Sequence, residues 1–157
     1  ERHLCVFKPN GGFFNRPERV CATMSITYSI EPDLTAAEFI DVMNRSGLGV
    51  RRTVENPERM QKMIDCATIM LCARDNGKLV GIARSLTDFS YCCYLSDLAV
   101  DKAYQGKKIG QQLIMQTQEI IGEESMLLLL EAPMAKGYYE HVGFEKVDNG
   151  WILRRRM

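Results

Sequence analysis

The sequence predicts one mixed α/β domain, a sheet of about seven strands flanked by helices. Three observations predict it. Short segments alternate or run apolar as strands do, and longer ones repeat their apolar residues at helical spacing. The two kinds are interleaved from one end of the chain to the other, with strands in the majority. Two turn tripeptides, Asp75-Asn76-Gly77 and Asp148-Asn149-Gly150, mark hairpins. A chain of 157 residues suits a single domain, and its core needs no metal or disulfide to hold it.

Residues 25–30 alternate and are rich in β-branched side chains, which predicts the first strand. Asp33 or Thr35 can cap a helix over 36–45, with Phe39, Ile40, Val42 and Met43 on its inner side and Gly47 ending it. Asn56-Pro57 opens a second helix, because proline fits the first helical position. Its stripe is Met60, Met63, Ile64 and Ala67, read as core filler. Residues 68–74 and 78–85 are apolar strands joined by the first turn signal, and 91–100 is a further long strand. A helix over 106–122 turns Ile109, Leu113, Ile114 and Thr117 inward. Residues 126–131, apolar up to Leu130 and ended by Glu131, read as a strand near the sheet centre. A short helix over 133–141 and a hairpin of 144–147 with 151–154 complete the order.

Composition narrows the function classes. Lys plus Arg and Asp plus Glu both number 20, so no general attraction to nucleic acid or an anionic membrane is expected. No apolar segment approaches the ~20 residues a membrane helix needs. The six cysteines form no C-x-x-C pair, and neither His lies at zinc-ligand spacing, so no metal site is expected. Cys92 and Cys93 suit small buried hydrophobes, and reduced thiols suggest a cytoplasmic protein. Residues 1–23 lack alternation and read as an N-terminal extension or arm; the domain is expected over 24–157, with Met24 as a natural start.

Chemistry concentrates in residues 95–110. A strand ends at Val100, a short turn follows, and Gly106 and Gly110 flank the opening of a long helix. The first turn of a helix has backbone N–H groups without internal partners and carries partial positive charge. Glycines let a pyrophosphate approach, and Lys107 and Lys108 add charge. Neither the P-loop nor the dinucleotide fingerprint is present.

Gln105, Gly106, Lys107, Lys108, Ile109 and Gly110 resemble the acetyl-CoA signature of the GNAT acetyltransferases, Gln/Arg-x-x-Gly-x-Gly/Ala. Leu98, Ala99 and Val100 match the preceding strand, and Tyr138-Tyr139 with Gly143-Phe144 is similar to the family's aromatic-Tyr-x-x-x-Gly-Phe segment. The resemblance covers nearly all the chain after Met24. It implies a twisted, mostly antiparallel central sheet, acetyl-CoA as co-substrate, a primary amine of unidentified kind as acceptor, and a homodimer as one possible assembly. The departure is Lys108, where the family has glycine. Helical angles there would leave the site intact, whereas a positive φ would cost about 1 kcal/mol or more.

The resemblance assigns roles. Residues 98, 99 and 100 would polarise the thioester carbonyl and hold the pantetheine arm as an added strand. Residues 105–110 would bind the phosphates. Tyr139 would protonate the leaving thiolate as general acid, against the plainer reading of a core tyrosine. Asp97 stands in an apolar strand, sharing a face with Leu95 and Ala99 by alternation. It is either the base that takes the amine's proton, an anchor for an ammonium group, or a structural carboxylate paired with a donor. Glu131 is a secondary candidate for a cationic acceptor, as are Asp41, Glu55, Glu58 and Asp65 on the first two helices. The competing function is a non-catalytic acyl-CoA-binding module, which Lys108 motivates.

Overall fold

The structure is a computed structural model that describes residues 25–156; the expected extension over 1–23 and the start at Met24 lie outside the described residues. Five strands form one sheet in sequence order, β1 (Ile26–Ile30), β2 (Ile69–Asp75), β3 (Lys78–Thr87), β4 (Cys92–Val100) and β5 (Met126–Leu128). The first four pair antiparallel, and β5 joins β4 in parallel. The mixed, mostly antiparallel α/β class is as expected.

Helices cover both faces of this sheet, which explains why β2 and β3 read as continuous apolar runs rather than alternating ones. On one face lie α1 (Ala36–Ser46) and α2 (Pro57–Asp65), whose Phe39, Met43 and Met60 pack on Cys72, Ile82 and Ala99. On the other lies α3 (Ile109–Ile121), whose Ile109, Leu113 and Ile114 pack on Leu71, Val80 and Leu95. Fully burying each such side chain contributes about 1.5–3 kcal/mol.

Local signals set the element ends. Thr35 caps α1 by accepting from the Glu38 N–H, and its hydroxyl donates to the Glu38 carboxylate. Asn56 caps α2 ahead of Pro57. Asn76 and Gly77 both take positive φ, 48° and 84°, as a two-residue hairpin with right-handed twist requires.

The sheet departs from expectation at its far edge. The seven expected strands are five among the described residues. Residues 144–156 adopt no strand, so the 144–147/151–154 hairpin is absent. Trp151 and Leu153 are 99% and 98% exposed, so no burial rewards pairing there. β5 ends at Leu128 and is an edge strand with Met126 and Leu128 exposed, not a central one. The helix expected from residue 106 begins at Ile109, after a 3-10 turn over Lys102–Tyr104. Residues 133–141 divide into a 3-10 turn, Pro133–Ala135, and α4 (Tyr138–His141). Cys93 is buried as expected, but Cys92 faces solvent. Among the described residues, no helix is long and apolar enough to cross a membrane.

Candidate active site

The site arises where β4 outruns its partner. β4 and β5 pair only over Cys92–Met126, Cys93–Leu127 and Tyr94–Leu128, and beyond Tyr94 the two diverge. On its other edge β4 stays paired with β3 up to Val100. The Asp101 N–H continues that ladder to the Val80 carbonyl. Backbone groups alternate along a strand, so those of Ser96, Leu98 and Val100 point away from β3 and into the opening. The Ser96 carbonyl accepts from Arg52 and that of Val100 from Gln105, as this alternation requires. Ala99, by the same rule, turns its backbone to β3, and its side chain is buried.

The opening widens into a cleft of about 1160 Å³, lined by Leu98, Ala99, Val100, Gln105, Gly106, Lys108, Ile109 and Gly110, and by Tyr138 and Tyr139. The structure therefore brings together every expected cofactor residue except Lys107, whose ammonium lies 4.7 Å from the centre of the Tyr104 ring.

The start of α3 forms one end of the cleft. Its N-cap is Lys108, which offers no side-chain cap, and its first turn has no acidic residue. The Gln112 N–H already donates to the Lys108 carbonyl, whereas the N–H groups of the first helical positions precede the helical ladder. An anion is the natural partner for such a terminus. Lys108 has φ 63° and ψ 9°, the left-handed region. Of the two expected cases, the strained one is present.

The loop before α3 is held rigidly. Asp101 accepts from the Ala103 N–H and from Arg45, and pairs with Lys78 at 3.5 Å. Burial pushes its carboxyl up, but the Ala103 N–H, Arg45 and Lys78 together outweigh burial and hold it below the ordinary value. The Gln105 amide donates to the carbonyls of Val100 and Ser46, bracing the loop between β4 and α1. The Tyr104 hydroxyl donates to Asp75 at 2.9 Å, which pushes the phenol up.

Tyr138 and Tyr139 sit on α4 across the cleft. The Tyr138 hydroxyl lies 2.9 Å from where a Cβ on Gly110 would be, so the absence of a side chain there admits it. The Tyr139 ring packs edge-on to Tyr138 and to Phe144, with centroids 5.3 and 5.6 Å apart. Burial pushes the Tyr139 phenol up, and the charges of Tyr138 and Glu131 add to this.

Asp97 is elsewhere. It is 1% exposed and does not line the cleft. Its two oxygens accept from Arg52 Nε at 2.5 Å and Arg84 Nε at 2.6 Å. Each oxygen thus takes one guanidinium N–H, the pairing expected of a structural carboxylate. The expected shared face with Leu95 and Ala99 is half right. The β3–β4 register pairs Arg84 with Asp97 but Ser85 with Leu95, so Ser96 is an extra residue. That bulge puts Leu95 against α3 and Ala99 against α1 and α2. Glu131 accepts from the Gly137 N–H and does not line the cleft; nor do Asp41, Glu55, Glu58 and Asp65. The residues missed are Arg52 and Arg84. A lone arginine in the apolar run of β3 is the same signal that singled out Asp97, and pairing the two across neighbouring strands would have found them.

A family model of the acetyltransferase (GNAT) domain matches residues 40–151. No curated protein matches the sequence. Among solved structures, a protein of unknown function from meticillin-resistant Staphylococcus aureus is similar at TM-score 0.70 and 19% identity, over 83% of this chain and 100% of that one. A GNAT-family acetyltransferase from Streptococcus pneumoniae is similar at TM-score 0.67 and 20% identity, over 85% and 100%. An aminoglycoside N-acetyltransferase in complex with CoA is similar at TM-score 0.66 and 13% identity, over 88% and 99%. Those likenesses show a shared fold, and with a family model spanning most of the sequence the conclusion is that this chain belongs to the GNAT acetyltransferase family.

Proposed function

We propose that the chain transfers an acetyl group from acetyl-CoA to a primary amine by direct attack. The observation that carries this reading is the gap between β4 and β5, with unpaired strand edge along one side and the uncapped start of α3 at its end. A pantetheine arm can pair with the edge of β4 while a pyrophosphate takes the α3 amides. The aminoglycoside N-acetyltransferase of like fold, seen with CoA, supports both the cofactor and an amine acceptor.

In this reading Leu98 and Val100 present backbone N–H groups to the cofactor. The Leu98 N–H would stabilise the oxyanion as the amine nitrogen bonds to the acetyl carbon, a contribution of about 3 kcal/mol. The C–S bond then breaks, and the Tyr139 hydroxyl gives its proton to the departing sulfur. The amine's proton leaves through water in the open cleft. Asp97 acts as a positioning residue, holding Arg52 and Arg84 beside the Ser96 bulge.

Calorimetric titration of acetyl-CoA tests the cofactor half. Wild-type protein is expected to bind, and Gly110→Glu to stay folded and lose binding, because its carboxylate would meet both the Tyr138 hydroxyl and the anion site. Equal affinity in a folded Gly110→Glu variant would place the cofactor elsewhere. Binding without CoA release on any amine would favour the non-catalytic module.

A further inference from the structure

Apart from Arg154 and Arg155 of the C-terminal segment, the basic side chains of the cleft fall into two groups. Lys108 stands at the phosphate end, at the start of α3, whereas the ammonium of Lys102 reaches the end of α1, 3.4 Å from where a Cβ on Gly47 would be. Arg51, Arg52, Arg59 and Arg84 line the same cleft beside Ser96 and α2. Arg84 donates to the Met63 carbonyl, and Arg59 lies one helical turn before Met63, on the same face of α2. Ser96 precedes Val100 by four residues, roughly 13 Å of strand. The Ser96 carbonyl, on Arg52, and the Ser96 hydroxyl, on Arg84, thus anchor this second group toward the far end of β4 from α3.

The charge there is not balanced. Arg52 and Arg84 share one carboxylate, Asp97, and Arg84 is only 6% exposed. Among the described residues, Arg51 and Arg59 have no carboxylate within 4.0 Å, and no Asp or Glu lines the cleft. A cleft with walls of one sign focuses anions and repels cations. Arg84 already donates to Asp97, Ser96 Oγ and Met63 O, and Arg52 to Asp97, Ser96 O and Arg51 O. These two set the field, while Arg51 and Arg59 have donors to give a ligand.

We propose that the acceptor is a small amine that carries a carboxylate, an amino acid being the simplest case, with Arg51 and Arg59 holding the carboxylate while the amine faces Leu98. The proposal rests on the acetyltransferase reading above and deepens it. Guanidinium forks bind carboxylates in a planar, two-bond geometry, which fixes the direction of the amine as well as its affinity. A polycationic acceptor would meet only like charge at this end.

The test pairs each L-amino acid with its α-carboxamide, adds spermidine and kanamycin as polycations, and measures CoA release, with acetyl-CoA affinity measured calorimetrically in parallel. At least one amino acid is expected to exceed its carboxamide and both polycations in kcat/KM by about tenfold or more. Arg51→Gln and Arg59→Gln are expected to raise its KM by about tenfold with kcat nearly unchanged, and Arg59→Lys to restore part of the loss. Acetyl-CoA affinity in these variants should stay within about twofold. Preference for a polycation, equal use of carboxamides, or no turnover of any amino acid by protein that binds acetyl-CoA would overturn the proposal. Loss of acetyl-CoA affinity in the arginine variants would assign the cluster to the cofactor and overturn it too. Failure of the wild type to bind acetyl-CoA would instead bring down the acetyltransferase reading on which it stands.

Discussion

Tyr139 is the residue on which chemistry and packing divide most sharply. Its ring packs between Tyr138 and Phe144, which alone would explain a tyrosine there. Its place in the cleft with β4 is what the proposed proton transfer rests on. Replacing it with phenylalanine keeps the ring contacts and removes only the hydroxyl. As a general acid it should be missed by about a hundredfold or more in kcat, with little change in KM for acetyl-CoA. Because burial first, then the charges of Tyr138 and Glu131, raise the phenol above its usual 10.0, it keeps its proton throughout the neutral range. The ratio of wild-type to Tyr139→Phe kcat should therefore stay constant from about pH 6 to 9. A folded Tyr139→Phe protein with wild-type kcat, or a ratio that collapses within that range, would leave Tyr139 as a packing residue. Asp97 is the converse case. Its cost inside an apolar strand was visible in the sequence, but the partners that meet the cost come from β3 and from the turn after α1, 13 and 45 residues away. Only the register of β3 on β4, with its bulge at Ser96, brings them together.

At the scale of elements, the start of α3 shows what a single non-glycine residue in the left-handed region does. A left-handed L-residue costs about 1–2 kcal/mol, while glycine loses about 0.5–1 kcal/mol more backbone freedom on folding. Lys108→Gly should thus stabilise the fold by up to about 1 kcal/mol, or about 2–4 °C in Tm. Lys108→Val, β-branched and at φ 63°, should lower Tm. Thermal unfolding decides this, and a fall in Tm for Lys108→Gly would mean that the lysine side chain contributes more than its backbone costs. Elements with local causes were legible in advance. The caps at Thr35 and Asn56 and the Asn76-Gly77 turn each depend on residues within a few positions of one another. Those that depend on distant partners were not. The run from Met126 is apolar for five residues, yet it is a strand only where β4 pairs with it. Asp148-Asn149-Gly150 is as good a turn signal as Asp75-Asn76-Gly77, yet the flanking segments leave the outer edge of β5 unpaired, with Trp151 and Leu153 almost fully exposed.

Over the whole molecule, a net charge of zero conceals a separation of charge. Arginines gather around the cleft, while carboxylates tie helices to the sheet away from it. Glu31 and Glu38 hold Arg74, joining the start of α1 to β2. Asp41 and Asp101 hold Arg45, joining α1 to the end of β4. This second set lies directly under the loop that leads to α3, so it supports the site without entering it. Both sets should respond to acid. Hydrogen bonding from Arg74 is the main cause that holds Glu31 below 4.5, against the opposing effect of burial. Asp101 is held below 3.8 although burial, its largest single influence, pushes the other way. A carboxylate with a depressed folded pKa contributes stability that is complete above its unfolded value and is lost as pH falls through the folded one. The urea midpoint should therefore be insensitive to these groups from about pH 6 upward and fall increasingly below about pH 5. Glu31→Gln should lower the midpoint at neutral pH and make the acid fall shallower, because one depressed carboxylate no longer titrates. An equally steep fall in that variant would mean that the Arg74 pairing does not survive in solution, and that β1 is held to β2 by its backbone ladder alone.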